Sequence, residues 1–294
     1  MLSILIPTYN YNARALVMAF DAQADRSSFD VEIIVGDDAS TIELEWLAEV
    51  EKMPRVRVLR AEKNLGRARN RNRMADASRG EWLLFVDCDA RIESDFSLLA
   101  YEQSSTMAPV VCGGLRHPAK NPNPEATLRY KYERQADMKR GADIRNREPY
   151  SQLSTFNLLV RRDIFMQIRF DEGCTEYGYE DTLFGKEIEK RGLKLLHIDN
   201  PIVHIGLERN EIYLRKVEAS LHTLKRMESK LGHFSRVIAF AEQVRRWHLS
   251  GLLAFVHRLT SPLVRMNLLS HHPNLLLFQW YKLGYFLNIG EGSK

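Results

Sequence analysis

The apolar run Trp82 to Val86 ends in Asp87-Cys88-Asp89. Side chains on extended backbone alternate in direction, so the two carboxylates face different ways and can engage two parts of one ligand. A strand that finishes this way calls for a metal ion, a basic side chain or water. Carboxylates with few other ligands suit Mg²⁺ or Mn²⁺, which keep waters and share phosphate oxygens. A second acidic pair lies in Gly36-Asp37-Asp38-Ala39-Ser40. Asp38 and Ser40 stand before a helical pattern, so Asp38 either caps that helix or accepts hydrogen bonds from a base or ribose. A third pair, Glu180-Asp181, opens a helical stretch stopped at Gly192. It either complements the helix dipole or supplies a general base to a hydroxyl nucleophile. Arg67, Arg69, Arg71 and Arg73 follow Asn64-Leu65-Gly66. Arg67 and Arg71 share one helix face and Arg69 and Arg73 another; one of the two is expected to meet phosphates and the other to be solvated. His204 sits alone in an apolar run, where spacing by itself reads as a core histidine rather than a ligand.

Short apolar runs alternate with helical patterns around these residues. Strands are expected over Leu2 to Ile6, Val31 to Val35, Val56 to Leu59 and Trp82 to Val86. Helices are expected over residues 12 to 24, Ile42 to Lys52 and Gly66 to Ser78. This alternation predicts an α/β fold with a mostly parallel central sheet and helices on both faces. Such sheets bind ligands at the carboxyl ends of their strands. Pro7-Thr8-Tyr9-Asn10, Asp37-Asp38, Asn64-Leu65-Gly66 and Asp87-Cys88-Asp89 all fall there. Residues 109 to 149 read as a long functional loop with a charged helix around 125 to 140. Leu153 to Val160 and Lys194 to Ile198 read as strands, with a helix from Thr182 to Arg191. Past Gly206 only helices are expected.

Composition narrows the class. The 294 residues are 45% apolar and 27% charged, which describes a folded chain. Cys88, Cys112 and Cys174 lack any Cys-x-x-Cys spacing, so neither a disulfide framework nor a thiolate zinc site is expected, and a reducing cytoplasm is. The first residues lack a basic leader, and no stretch is long and apolar enough for a spanning helix. Residues 206 to 294 hold 13 Lys+Arg and 6 Glu, a net of +7, leaving the remainder at 29 against 32, or −3. No Gly-x-x-x-x-Gly-Lys loop and no Gly-x-Gly-x-x-Gly fingerprint occurs, which argues against P-loop enzymes and dinucleotide oxidoreductases. The arginine run lacks interleaved aromatics and lies in the acidic part, so nucleic acid is not an expected partner.

Taken in order, SILIPTYN, EIIVGDDAS, NLGRARNRNRMADASRGEWLLFVDCDA and FDEGCTEYGYEDTLFGKEIEKRG resemble the family 2 glycosyltransferases. The resemblance covers Leu2 to about Gly206 and implies the GT-A fold, Rossmann-like, with a C-terminal helical extension. It implies that Pro7, Thr8, Tyr9 and Asn10 line the nucleotide pocket, that Asp38 binds the uracil edge, and that Asn64, Gly66 and Arg71 belong to the donor site. It places Asp87 at the ribose and Asp89 with His204 on Mn²⁺ or Mg²⁺. Asp181 becomes the catalytic base, with Glu180 near the acceptor. The family's glycine directly before the two acids is displaced, because Tyr179 separates Gly178 from Glu180.

The implied activity is inverting, metal-dependent transfer of a sugar from a nucleotide (UDP) sugar to a hydroxyl of a glycan or lipid-linked acceptor, as in polysaccharide biosynthesis. The competing readings are a catalytically silent nucleotide-sugar-binding protein and a sugar nucleotidyltransferase. The latter's glycine-rich loop after the first strand is replaced by Pro7-Thr8-Tyr9-Asn10. The expected division is a catalytic domain over 1–206, with a nucleotide half at 1–108 and an acceptor half at 109–206, and a basic, aromatic extension over 207–294. That extension either lies on an anionic membrane surface, at the inner face of the plasma membrane, or packs on the catalytic domain or a second subunit.

Overall fold

The computed structural model describes residues 1–137, 140–173 and 178–290. Among them ten strands follow one another: β1 Leu2–Thr8, β2 Val31–Asp37, β3 Val56–Arg60, β4 Trp82–Val86, β5 Ala90–Arg91, β6 Val110–Cys112, β7 Leu115–Arg116, β8 Asn157–Arg161, β9 Leu195–His197 and β10 Ile202–His204. Seven form one sheet in the order β3-β2-β1-β4-β8-β6-β9, and β5-β10-β7 form a small second sheet. Within the large sheet only β8 runs against its neighbours. This is the GT-A arrangement of a mostly parallel sheet between helices.

The strands are nearly all apolar because both faces are covered. Leu2, Ile4 and Ile6 of β1 pack into one cluster with Val17 and Phe20 of the helix Arg14–Ala24. The alternate residue Leu5 points the other way, joining Met74 and Ala75 of the helix Arg67–Ala77 and Phe165 and Phe184. An aromatic group closes that second face: Phe85 lies 5.0 Å from Phe165 and 5.4 Å from Phe170, which lies 4.9 Å from Phe184. Such pairs contribute about 0.5–1.5 kcal/mol each beyond the area they bury.

The described residues of 1–118, 137–175 and 180–206 form one compact unit, and those of 119–136, 176–179 and 207–294 form another. The second unit is helical, its longest elements being Asn210–Arg226, Ser250–Leu269 and Leu275–Asn288. Among the described residues no helix is long and apolar enough to cross a membrane.

Three elements differ from expectation. The helix expected from Ile42 spans only Glu45–Val50. The strand expected from Leu153 starts at Asn157, because the Thr155 amide is taken by the Asp181 carboxylate and cannot join a ladder. The loop at 109–149 carries, besides the charged helix expected there (Thr127–Asp137), the strands β6 and β7 and the short helix Ala142–Arg145. The buried Arg145 secures part of it by donating to the carbonyls of Arg140, Cys112 and Ile198.

One buried acid interrupts the apolar β2. Glu32 accepts from the Ser3 hydroxyl at 2.5 Å and the Arg79 amide at 2.5 Å, with the Arg57 guanidinium 3.3 Å away. Burial alone would raise its carboxyl, but these hydrogen bonds and the Arg57 and Arg79 charges outweigh burial and hold it below its ordinary value. A depressed acid stabilises the fold above the unfolded carboxyl range, and that stability is lost as pH falls through the folded value. Glu32→Ala should therefore lower the unfolding free energy by about 2–3 kcal/mol at neutral pH. In urea titrations the gap from the unsubstituted chain should shrink below about pH 4.

Candidate active site

Parallel order brings the carboxyl ends of β2, β1 and β4 side by side, so Thr8, Asp37 and Asp87 meet at one edge. Antiparallel β8 begins at that edge. Asn157 pairs with Val86, and the Asp87 amide donates to the Phe156 carbonyl at 3.4 Å. Thr155 thus arrives beside the acidic strand end, and Asp181 comes with it. The Asp181 carboxylate accepts from the Thr155 amide at 3.0 Å and the Thr155 hydroxyl at 2.7 Å. The small sheet brings in the histidine: His204 pairs with Ala90, and its Nε2 lies 3.0 Å from Asp89 Oδ2.

Arg71 joins the two acidic groups. It is 3% exposed, its Nη2 donates to Asp87 Oδ1 at 2.5 Å, and its Nη1 lies 3.9 Å from Glu180. Phe170 lies beneath it, 5.8 Å from guanidinium to ring centre. Burial alone would depress the guanidinium, but Asp87, Glu180 and Asp181 more than offset this and keep it charged. Its Nε and Nη1 are buried and have no hydrogen-bond partner among the described residues. Arg67 reaches Glu180 at 3.7 Å from the same helix face.

The opposite face is only partly in solvent. Arg69 is exposed and pairs with Glu172 at 3.4 Å. Arg73 is not solvated, because its Nη2 donates to the Asp37 and Leu59 carbonyls at 3.1 Å each.

Burial raises the Asp181 carboxyl first and the neighbouring Glu180 charge second. Arg71 and the two Thr155 donors oppose them, and the balance lies up at about 6. The two acids of the strand end do face different partners, Asp87 toward Arg71 and Asp89 toward His204. Between them the Cys88 thiol is pushed up to about 12 by burial and by both carboxylates.

His204 is not isolated. Its Nδ1 lies 3.3 Å from His117 Nε2, and His117 Nδ1 lies 3.0 Å from Asp137. Donation from His117 Nδ1–H to Asp137 leaves His117 Nε2 to accept from His204 Nδ1–H. That assignment leaves the His204 Nε2 lone pair facing Asp89 when the imidazole is neutral. A carboxylate oxygen and an imidazole nitrogen 3.0 Å apart suit adjacent ligands of an octahedral Mn²⁺ or Mg²⁺, whose bonds are about 2.1 Å. The residues fit such an ion.

Several expected donor-site residues serve the loops. Asp38 caps no helix; its oxygens accept from the Leu65 amide at 2.8 Å and the Gly66 amide at 3.0 Å. Gly66 has φ +84, open to glycine without strain. Asn10 accepts from the Thr41 amide at 2.7 Å, and the Thr8 hydroxyl donates to the Tyr11 carbonyl at 2.9 Å. Tyr9 and Asn64 are exposed, and Pro7 is half-buried at the end of β1. Tyr179 takes φ +70 in the place before Glu180, the left-handed conformation for which a glycine is better suited. Cys174 and Tyr177 lie outside the described residues.

Thr155, His117, Asp137, Tyr11 and Gly206 carry no signal in the sequence alone, yet all border the site. The Tyr11 hydroxyl is pushed up to about 12 by burial, then by Asp89 and Cys88. A Cβ on Gly206 would stand 2.1 Å from Asp89 Oδ2, so only glycine lets this loop approach the acid. The spacing of His204 and Gly206 hints at this contact only once Asp89 is known to be adjacent.

Residues 3–169 match the family model described as glycosyl transferase family 2. The chain belongs to that family. A glycosyltransferase from Haemophilus influenzae is 38% identical over 89 residues, 30% of this chain and 29% of its own length. The succinoglycan biosynthesis protein ExoO of Rhizobium meliloti is 29% identical over 93 residues, 32% of this chain and 26% of its own. The chain thus matches less than a third of the length of these curated relatives. A mannosyltransferase from Pyrobaculum calidifontis, solved with GDP-Man and Mn²⁺, superposes with a TM-score of 0.60 at 14% identity, over 99% of this chain and 88% of that one. Residues 1–349 of S. aureus TarS, solved with UDP-GlcNAc, superpose with a TM-score of 0.51 at 18% identity, over 97% and 89%. At such identities the family's GT-A fold is what the superpositions share.

Removing the guanidinium tests its linking role. Arg71→Met should lower the unfolding free energy by about 3–5 kcal/mol, since Asp87 and Glu180 would lose their buried counter-charge. Urea titration reads this loss, and Arg69→Met, at an exposed pair, should change it by less than about 1 kcal/mol.

Proposed function

We propose that this protein transfers a sugar, with inversion, from a nucleotide sugar, UDP-linked, to a hydroxyl of a glycan or lipid-linked acceptor. The observation carrying this is the buried Arg71, which ties Asp87 to the Glu180-Asp181 pair and keeps two buried nitrogens, Nε and Nη1, without hydrogen-bond partners among the described residues. Such donors await oxygen acceptors, and a diphosphate supplies them. The neighbours solved with GDP-Man and with UDP-GlcNAc support a nucleotide-sugar donor. Asp89 and His204 would hold the divalent cation, and Asp87 the ribose. When bound, the cation supplies charge neutralisation for the departing diphosphate.

In this reading residues 1–206 act as the catalytic domain, 1–108 for the donor and 109–206 for the acceptor, with 207–294 as an extension. A cavity of about 190 Å³ in the acceptor half, lined by Gly114, Arg140, Arg145, Ser154 and Asn157, supports that assignment. Asp181 takes the proton of the acceptor hydroxyl as the oxygen attacks the anomeric carbon, and the bond to the diphosphate oxygen breaks on the opposite face. An α-linked donor then gives a β-linked product. Thr155 orients the base, and Glu180 raises its basicity while holding Arg67 and Arg71 in place. Burial of Arg71 and its contacts with both acidic groups favour catalysis over a silent binding role, since binding alone has no use for a second, raised acid.

Asp181→Asn should reduce transfer by about a thousandfold or more while nucleotide-sugar binding, read by calorimetry, stays within about threefold. Near-normal turnover in that variant overturns the assignment. A base must be ionised to act, so kcat/KM should fall about tenfold per pH unit below the Asp181 value of about 6. Glu180→Gln removes a negative neighbour and should move this acid limb to lower pH.

A further inference from the structure

The helix Ser250–Leu269 buries Ala254, His257, Val264 and Leu268. That face packs closely on the helix Leu275–Asn288, where a Cβ on Gly284 would stand 2.3 Å from the His257 ring. The helix then presents a second apolar face outward. Leu252, Phe255, Leu259, Leu263 and Met266 are all more than half exposed, reaching 71% at Leu263. At 3.6 residues per turn these five fall within an arc of about 80° along roughly 20 Å of helix. Large side chains so aligned at such exposure mark a surface that another apolar phase covers.

Charge decides what that phase is. From Gln243 to Gly290 there is no aspartate or glutamate, while Arg245, Arg246, Arg258, Arg265 and Lys282 all lie there. Arg245 and Arg265 are paired, with Glu228 and Glu218. Arg246 and Arg258 are exposed, and their guanidinium groups have no ion-pair or hydrogen-bond partner among the described residues. Arg258 borders the apolar stripe, and Trp247 lies exposed just before the helix. A second copy of the chain docked symmetrically on this stripe would bring Arg258 toward its own counterpart with no acid to offset it. An anionic lipid surface offers the stripe acyl chains and the arginines phosphates at one boundary.

We propose that the outward face of Ser250–Leu269 seats this protein on an anionic lipid bilayer, lying in the headgroup layer without crossing it. The face is independent of the donor site and goes beyond the catalytic reading.

Full-length protein should sediment with vesicles of equimolar phosphatidylglycerol and phosphatidylcholine and much less with phosphatidylcholine alone. Leu259→Glu with Leu263→Glu should lower vesicle binding about tenfold or more, and Arg258→Gln about fivefold, with steeper loss at high salt. All altered positions are exposed, and unchanged thermal melts and nucleotide-sugar binding would show the variants intact. Wild-type protein remaining in the supernatant, or equal sedimentation of the doubly substituted chain, overturns the proposal. A concentration-dependent dimer that the double substitution dissolves, with no vesicle binding, also overturns it and assigns the face to a second copy. Because vesicle recovery is read without turnover, its failure leaves the catalytic reading to its own test.

Discussion

A positive charge placed almost wholly out of water constrains the catalytic edge of this molecule. Arg71 is tolerated there only because Asp87, Glu180 and Asp181 surround it and Phe170 lies beneath its plane. Losing any of these partners would leave a desolvated charge without compensation, which costs more than most single packing defects. The arginine therefore sets the relative positions of three elements: the end of β4, the helix on which it stands, and the start of the helix Glu180–Lys190. Asn72, its neighbour, fixes a fourth by exchanging hydrogen bonds with the Phe170 backbone.

The same logic of compensation separates the acids in role. Asp87 is matched by a guanidinium and Asp89 by an imidazole, so two carboxylates one residue apart sit in different electrostatic surroundings. Among the described residues Asp181 has no ion-pair partner within 4 Å and instead accepts neutral donors from Thr155 beside a like charge, so its proton is held more tightly. Divergent environments of this kind let chemically identical groups take ligand-holding and proton-accepting parts. The chain Asp137, His117, His204 adds a further order, since each hydrogen bond dictates which nitrogen of the next ring carries its proton and the last leaves the His204 Nε2 lone pair toward Asp89.

Much of the fold was legible from periodicity. Nearly continuous apolar runs such as Leu2 to Ile6 and Trp82 to Val86, short and bounded by turn residues, read as strands covered on both faces, and their alternation with helical patterns implies parallel order. Boundaries were less legible where side chains took over backbone groups. Asp181 claims the amide of Thr155 and delays β8, and Asp38 binds Leu65 and Gly66 rather than capping the helix that follows it. Helix geometry left open which arginine face is solvated, and the nearby strand-end carbonyls of Asp37 and Leu59 take the Arg73 donors.

Residue type and order along the chain determined the fold class, the acidic strand ends, the arginine face and the acid-poor C-terminal region, because each is a local pattern of period, spacing or charge. Tertiary structure alone decided who meets whom. By spacing alone His204 reads as a core residue, and it is the pairing of β10 with β5 that lays it against Asp89. Thr155 is anonymous until β8 runs antiparallel to β4 and delivers it to Asp181. The apolar residues of Ser250–Leu269 divide into a packed and an outward set only when Leu275–Asn288 chooses one face. Contacts across tens of residues depend on sheet order and helix rotation, and no local pattern encodes either.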